Sequence, residues 1–264
     1  MQIEKITLQI GLLQPLHIAH MTDVHLSLAD ERDPHLIKHA AQRASVFNDE
    51  AGGPPDPPAE YLKKALAYAG KHCALSVITG DMIDFMSEAT LETARDLLEG
   101  HDYMFTAGNH EFCPKVGIPD SQARKHDVFL NVQKFFRGNM YFESRIVGGV
   151  NLITVDNGYY NYSAPQIDAL KREIKRGLPI LLFSHVPLSD RMIRLEAQHK
   201  DLVPDEYMKE QNRRFLALVE STDLIKAEFA GHWHTFQKNT LPSGIPEFVT
   251  PGLFKGAFTH IEIL

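Results

Sequence analysis

The chain has 264 residues, 44 % hydrophobic and 23 % charged, an ordinary globular composition that excludes a disordered tail, a fibrous repeat or a disulfide-stapled miniature. Its net charge of −7 disfavours nucleic acid as a partner, because duplex affinity rests on phosphate neutralisation by basic residues. No run approaches the roughly 18 apolar residues of a membrane span, and two cysteines, Cys73 and Cys113, predict free thiols in a reducing, cytoplasmic compartment.

Residues 1–7 alternate polar and apolar, which predicts a half-buried strand and not a signal peptide. An apolar run at 16–20 ends before Asp23 and His25, and a helix is expected over 34–48. The Gly/Pro-rich stretch 51–58 can be neither helix nor central strand and reads as a loop within an insertion. Helical spacing continues through Leu62, Ala65, Leu66, Ala69 and Cys73. The strand 75–79 then runs into Gly80-Asp81, a helix carries Leu91, Ala94, Leu97 and Leu98, and strand 103–106 runs into Gly108-Asn109-His110. Strand 152–155 ends at Asp156-Asn157. Pro165 and Gly177 bracket a helix with Ile167, Leu170 and Ile174 inward. Strand 180–183 meets Ser184-His185, a helix is expected over 205–220, and strand 225–230 meets Gly231-His232-Trp233-His234. Residues 248–249 and 258–263 are read as antiparallel partners. These short apolar runs suit buried strands covered on both faces, and their alternation with helices predicts an α/β core.

Acidic, amide and imidazole side chains gather immediately after the strands, where open α/β sheets place their ligand crevice: Asp23, His25, Asp81, Asn109, His110, His185, His232 and His234. Neutral imidazole, carboxylate and carboxamide donors suit borderline divalent metals, with Mn, Fe and Zn foremost. Asp23 and His25 are two apart, so on an extended segment both point to one side, as do His232 and His234. Adjacent Asn109 and His110 diverge, one toward metal and the other toward substrate. Each element alone has a plainer reading: Gly80-Asp81 as a turn, Gly108-Asn109 as a positive-φ corner, His185 as a solvated loop residue. Their joint placement after strands favours a metal site.

Asp23-Val24-His25, Gly80-Asp81-Met82-Ile83-Asp84, Gly108-Asn109-His110-Glu111, Ser184-His185 and Gly231-His232-Trp233-His234, in that order, resemble the calcineurin-like metallophosphoesterases. The resemblance implies a four-layer α/β/β/α sandwich of two mixed sheets flanked by helices, with a dinuclear metal site at the strand ends. It implies that Asp23, His25, Asp81 and His234 hold one ion and that Asp81 bridges to a second held by Asn109, His185 and His232. His110 would be the non-ligand histidine beside the scissile phosphate. Asp84 and Glu111 are candidates to orient ligand histidines, or are surface carboxylates. The Asp23–Asp81 interval is twice the Asp81–His110 interval, which locates an insertion at about 32–58 of undetermined role.

On this reading residues 1–264 form a single metallophosphoesterase domain, with residues 187–220 a candidate cap. A metal-bridging hydroxide attacks a small phosphomonoester or phosphodiester, nucleotides among the candidates, while His110 assists the leaving group. Two divalent ions outweigh their ligand carboxylates, so an acidic chain can still present a cationic pocket. Arg191, Arg194, Arg213 and Arg214 are phosphate contacts or plain surface charge. The competing readings are a non-catalytic metal-binding scaffold and a nuclease. The oligomeric state is left open.

Overall fold

Side chains of a strand alternate between faces, so a strand that is apolar on both faces feeds two cores at once. In the computed structural model, which describes residues 1–50, 57–198 and 205–264, such strands build two mixed sheets. The first runs β1 (Gln2–Leu8), β11 (Ala257–Ile263), β2 (Leu16–Met21), β3 (Leu75–Thr79), β4 (Tyr103–Thr106). The second runs β5 (Phe142–Val147), β6 (Val150–Val155), β7 (Ile180–Ser184), β8 (Ile225–Ala230), β10 (Pro246–Val249), β9 (Gln237–Thr240). Val77 of β3 and Met104 of β4 point between the sheets, as do Leu181 and Phe183 of β7. Their neighbours Ile78 and Phe105 face outward under α2 (Pro58–His72) and α3 (Glu88–Leu98). Ile180 and Leu182 face outward under α5 (Ala164–Ile174) and α6 (Glu206–Glu220). The four-layer α/β/β/α sandwich is therefore present. Its central layer stacks Phe183, Phe229 and Phe248, each large buried ring contributing about 1.5–3 kcal/mol of transfer free energy.

Local sequence starts the helices. Ser87 accepts from the Thr90 amide at α3, Ser163 and Gln166 form a reciprocal capping box at α5, and Asp205 accepts from the Met208 amide at α6. The proline-rich stretch ends one residue sooner than its composition suggests: Pro58 opens α2, where its missing N–H costs nothing. Residues 51–56 of that loop and 199–204 of the candidate cap lie outside the described residues.

One pairing differs from expectation. β10 joins β8 in parallel and β9 antiparallel, whereas β11 joins β1 in parallel and β2 antiparallel, in the other sheet. A 3-10 turn at Leu253–Lys255, closed by left-handed Gly256, carries the chain between the sheets. Two further strands, β5 and β9, and α4 (Gln122–Gln133) also form. No described helix is long and apolar enough to cross a membrane.

The parallel runs β2–β3–β4 and β6–β7–β8 bring their following loops to one edge of the sandwich. There the loops zip together through backbone: Asp23 donates to Gly80, His25 to Asp81, Leu26 to Met82, and Gly231 to His185.

Candidate metal centre

Asp23, His25, Asp81, His232 and His234 all have positive φ, between 50° and 70°. Left-handed backbone is costly for residues with a Cβ and persists only where surroundings over-determine it. Asp23 and His25 thus converge through two left-handed corners, and not through the extended alternation the sequence suggests; the same holds for His232 and His234. Glycine makes room for this crowding. A Cβ on Gly108 would strike the Asp81 carboxylate and one on Gly231 would strike Thr22 and Asp23.

The side chains arrive with their acceptor atoms facing one another. Asp23 Oδ2 is satisfied by the Thr22 hydroxyl at 2.8 Å and the His232 amide at 3.0 Å. Its Oδ1 is buried without a hydrogen-bond donor, 3.2 Å from His234 Nε2 and 3.8 Å from His25 Nε2. Those two nitrogens are themselves 3.2 Å apart. Asp81 follows the same pattern: Oδ1 accepts the His110 amide at 2.9 Å, while Oδ2 lies 3.8 Å from His25 Nε2 and 3.3 Å from His185 Nε2. His185 donates Nδ1–H to the Thr79 carbonyl at 2.7 Å, so its Nε2 faces Asn109 Oδ1 and His232 Nδ1, each at 3.2 Å. Acceptor atoms gathered this closely in a dry site call for positive charge among them, from protonated imidazole or from a bound cation. The donor set of imidazole, carboxylate and carboxamide oxygen fits borderline divalent metals. Asp23/His25/His234 and Asp23/Asp81/His185 each bring ligand atoms within 4.8 Å of one another, as does His25/Asp81/His110.

Electrostatics agree. Burial would raise the carboxyls of Asp23 and Asp81, yet the surrounding histidines hold both below their ordinary range. Burial would likewise lower the histidines, yet Asp81 and Asp84 lift His110 to about 10 and Asp81 lifts His185 to about 9. His232 is the exception, pushed down to about 3 by burial and the His185 charge. The carboxylates draw positive charge into the cluster.

Supporting residues fix the cluster from behind. Asp84 Oδ1 lies 3.3 Å from His25 Nδ1 and 3.2 Å from His110 Nδ1, so it orients both rings as expected. His110 also donates Nδ1–H to the Asp84 carbonyl at 2.7 Å, which leaves Nε2 as its working nitrogen. Glu111 differs from expectation: it grips no histidine but accepts the backbone amides of Asp81, Met82 and Gly108 at 2.6–2.9 Å, pinning two loops together. Burial and the Asp81 charge raise it to about 7. Asn109 and His110 do diverge, toward His185 and Asp84 respectively.

The sequence reading missed Tyr160, whose hydroxyl meets His232 Nε2 at 3.1 Å and so turns Nδ1 inward. It also missed Asn157, which accepts the amides of His185 and Val186, and Thr22. The partners of Tyr160 and Asn157 lie far along the chain, so no local pattern marks them; Thr22 bonds its neighbour Asp23, a contact no motif announces. The arginines of the candidate cap turn to neighbours: Arg194 to Glu220, Arg191 to Glu196, Arg213 to Glu210 and Arg214 to Gln211.

The chain is similar in fold to a dimetal phosphatase from Danio rerio at 14 % identity, covering 91 % of this chain and 88 % of that one with a TM-score of 0.56. It is also similar to the calcineurin-like phosphoesterase YfkN from Bacillus subtilis at 13 % identity, covering 91 % and 82 %, with a TM-score of 0.50. No curated protein matches the chain in sequence. The profile of the calcineurin-like phosphoesterases, however, matches residues 16–236, a span that contains every loop of the histidine–aspartate cluster. The chain belongs to the calcineurin-like phosphoesterase family.

Proposed function

We propose that the chain hydrolyses a small phosphate ester, a monoester or diester with nucleotides among the candidates, at a pair of divalent ions. Family membership supports a metal-dependent hydrolase acting on phosphate esters; the two-ion arrangement and the residue roles are our own reading. Asp23, His25, Asp81 and His234 would hold one ion, and Asp81, Asn109, His185 and His232 the other. The observation that carries this is Asp23 Oδ1, a buried carboxylate oxygen with no donor, set against the Nε2 atoms of His25 and His234. Asp81 Oδ2 stands between His25 and His185, which supports its bridging role. The dimetal phosphatase of similar fold supports a count of two.

Divalent ions supply Lewis acidity, lowering the pKa of a coordinated water toward neutrality and offsetting charge on phosphate oxygens. The protein's part is positional. Asp84 and the Asp84 carbonyl hold the His110 ring by Nδ1, so its Nε2 is presented as the acid that protonates the departing ester oxygen. Glu111 locks the 81–83 and 108 backbones, which fixes Asp81 and Asn109 relative to each other. The free thiols Cys73 and Cys113 support a cytoplasmic setting, and neither is given a role. The scaffold and nuclease readings have no observation on their side: every donor in the cluster is in place, and the arginines of residues 191–214 face neighbouring side chains.

The test is a panel of a generic monoester, a generic diester, nucleotides and single-stranded DNA, run on protein reconstituted separately with Mn, Fe and Zn. The proposal expects chelator-sensitive turnover of small esters. Turnover that survives complete metal removal overturns it.

A further inference from the structure

Helix α1 (Ile37–Glu50) belongs to the stretch between β2 and β3 that makes the Asp23–Asp81 interval so long, and its inward face is not idle. Leu36 and Ala40 pack on Phe85, and the His39 ring meets Phe85 edge-on at 5.1 Å. His39 Nε2 also accepts the Val116 amide at 3.2 Å. These contacts seat the helix with Arg43 and Phe47, one turn apart on the same face, over the metal centre. Arg43 Nε donates to Asp84 Oδ2 at 2.7 Å and Nη2 to Asp84 Oδ1 at 3.1 Å, a two-pronged grip on a fully buried carboxylate. The Phe47 ring, 2 % exposed, stacks on His25 with centroids 4.5 Å apart and planes at 22°, and meets Phe254 at 5.0 Å. The Arg43 guanidinium lies 4.9 Å from the Phe47 centroid, so the two act as one unit.

We infer that Arg43 and Phe47 make helix α1 a clamp on the metal centre: they are positioning residues that act through Asp84 and the His25 ring. This rests on the metal-ion reading above. A carboxylate with two free rotations could serve either His25 or His110. With Oδ2 taken by Arg43 Nε, rotation of Asp84 is fixed and its Oδ1 is shared between the Nδ1 atoms of both histidines. Phe47 closes the opposite degree of freedom, ring flipping of His25 away from Asp23 and Asp81. Hydrogen-bond partners of ligand histidines typically alter metal affinity by about 10–100-fold. An insertion whose role the sequence leaves undetermined thus completes the support of the site.

The experiment compares wild type, Arg43→Met, Arg43→Lys and Phe47→Leu, each alone and with Asp84→Asn. Mn(II) dissociation constants are read by calorimetry, melting is measured on metal-free protein, and kcat and KM are measured with a generic phosphate ester. Arg43→Met is expected to weaken Mn(II) about tenfold and lower kcat, with KM unchanged within about twofold, because the donors named here face Asp84 and not substrate. Arg43→Lys restores part of the loss through its charge, and Phe47→Leu weakens Mn(II) several-fold. In the Asp84→Asn background Arg43→Met has no further effect on Mn(II). Unchanged Mn(II) affinity in Arg43→Met overturns the inference, as does full additivity with Asp84→Asn, or a raised KM at constant kcat. Should Arg43→Met not fold, Arg43→Lys and Phe47→Leu carry the same comparison. Failure of wild type to bind Mn(II) removes the metal-centre reading itself, whereas equal binding by wild type and variants removes only the role of α1.

Discussion

Two buried acidic clusters lie in this molecule, and they differ in what their lone pairs face. At the strand ends, Asp23 Oδ1 meets the Nε2 atom of His234 and Asp81 Oδ2 that of His185, whose Nδ1–H is given to the Thr79 carbonyl. On the outer face of the second sheet, Glu228 of β8 and Glu247 of β10 stand opposite each other in register. There hydroxyl and amide donors reach three of the four oxygens: the Ser184 hydroxyl Glu228 Oε1 at 2.7 Å, the Ser189 amide Glu247 Oε2 at 2.8 Å and Asn239 Glu247 Oε1 at 3.0 Å, while Glu228 Oε2 is buried without a donor and no imidazole among the described residues faces it. Burial and the Glu247 charge raise the Glu228 carboxyl well above its ordinary value, so Glu228 keeps its proton. Like charges at close range need either a metal or a proton. The surrounding donors decide which, and the left-handed backbone found at Asp23, His25, Asp81, His232 and His234 is absent from Glu228 and Glu247.

This contrast can be broken at several points. Asp81→Asn has the largest expected effect: it removes the carboxylate proposed to be shared by two ions, and both metal content by elemental analysis and turnover should fall to background. Normal turnover with retained metal would refute the bridge. His110→Gln should keep its metal yet lose about 10²–10⁴-fold in kcat, which steady-state kinetics beside metal analysis will read. Tyr160→Phe deletes the bond to His232 Nε2 and should weaken metal about tenfold by calorimetry, with the fold intact by circular dichroism. Glu228→Gln is the smallest and tests the other cluster. Because the folded-state carboxyl is raised, the unfolded chain gives up its proton first as pH climbs. Wild-type stability is therefore lost from about pH 4.3, the ordinary Glu value, up through the folded pKa. Glutamine carries its hydrogen at every pH. The variant should melt a few degrees above wild type at pH 8, show no such advantage at pH 4, and hydrolyse at the wild-type rate.

Much of this was legible in the sequence, and for a physical reason. Buried strands such as Leu75–Thr79 and Ile180–Ser184 are apolar on both faces, and the loops after them concentrate metal-type donors. What escaped reading lacks that contrast. β9, with the sequence Gln-Lys-Asn-Thr, has no apolar residue and exists only because β10 pairs with it. In α4 the apolar stripe is blurred by Leu130, which is solvent-exposed, and β5 is a half-buried strand carrying Glu143 and Arg145. The β10–β11 pairing failed because strand sequence does not encode which sheet a strand joins. Residue spacing predicted the convergence of Asp23 with His25 for the wrong reason, since the bend at each is left-handed. Arg43, Phe47 and Tyr160 are invisible for a simpler cause: each acts on a residue many positions away.

The account turns on cations occupying the space between facing acceptors. Anomalous diffraction from crystals grown with Mn(II) tests this most directly. Two peaks are predicted, one against Asp23, His25 and His234 and one against Asn109, His185 and His232, with Asp81 touching both. Crystals that hold Mn(II) only outside this cluster, or show no peak at any ion concentration, would contradict it.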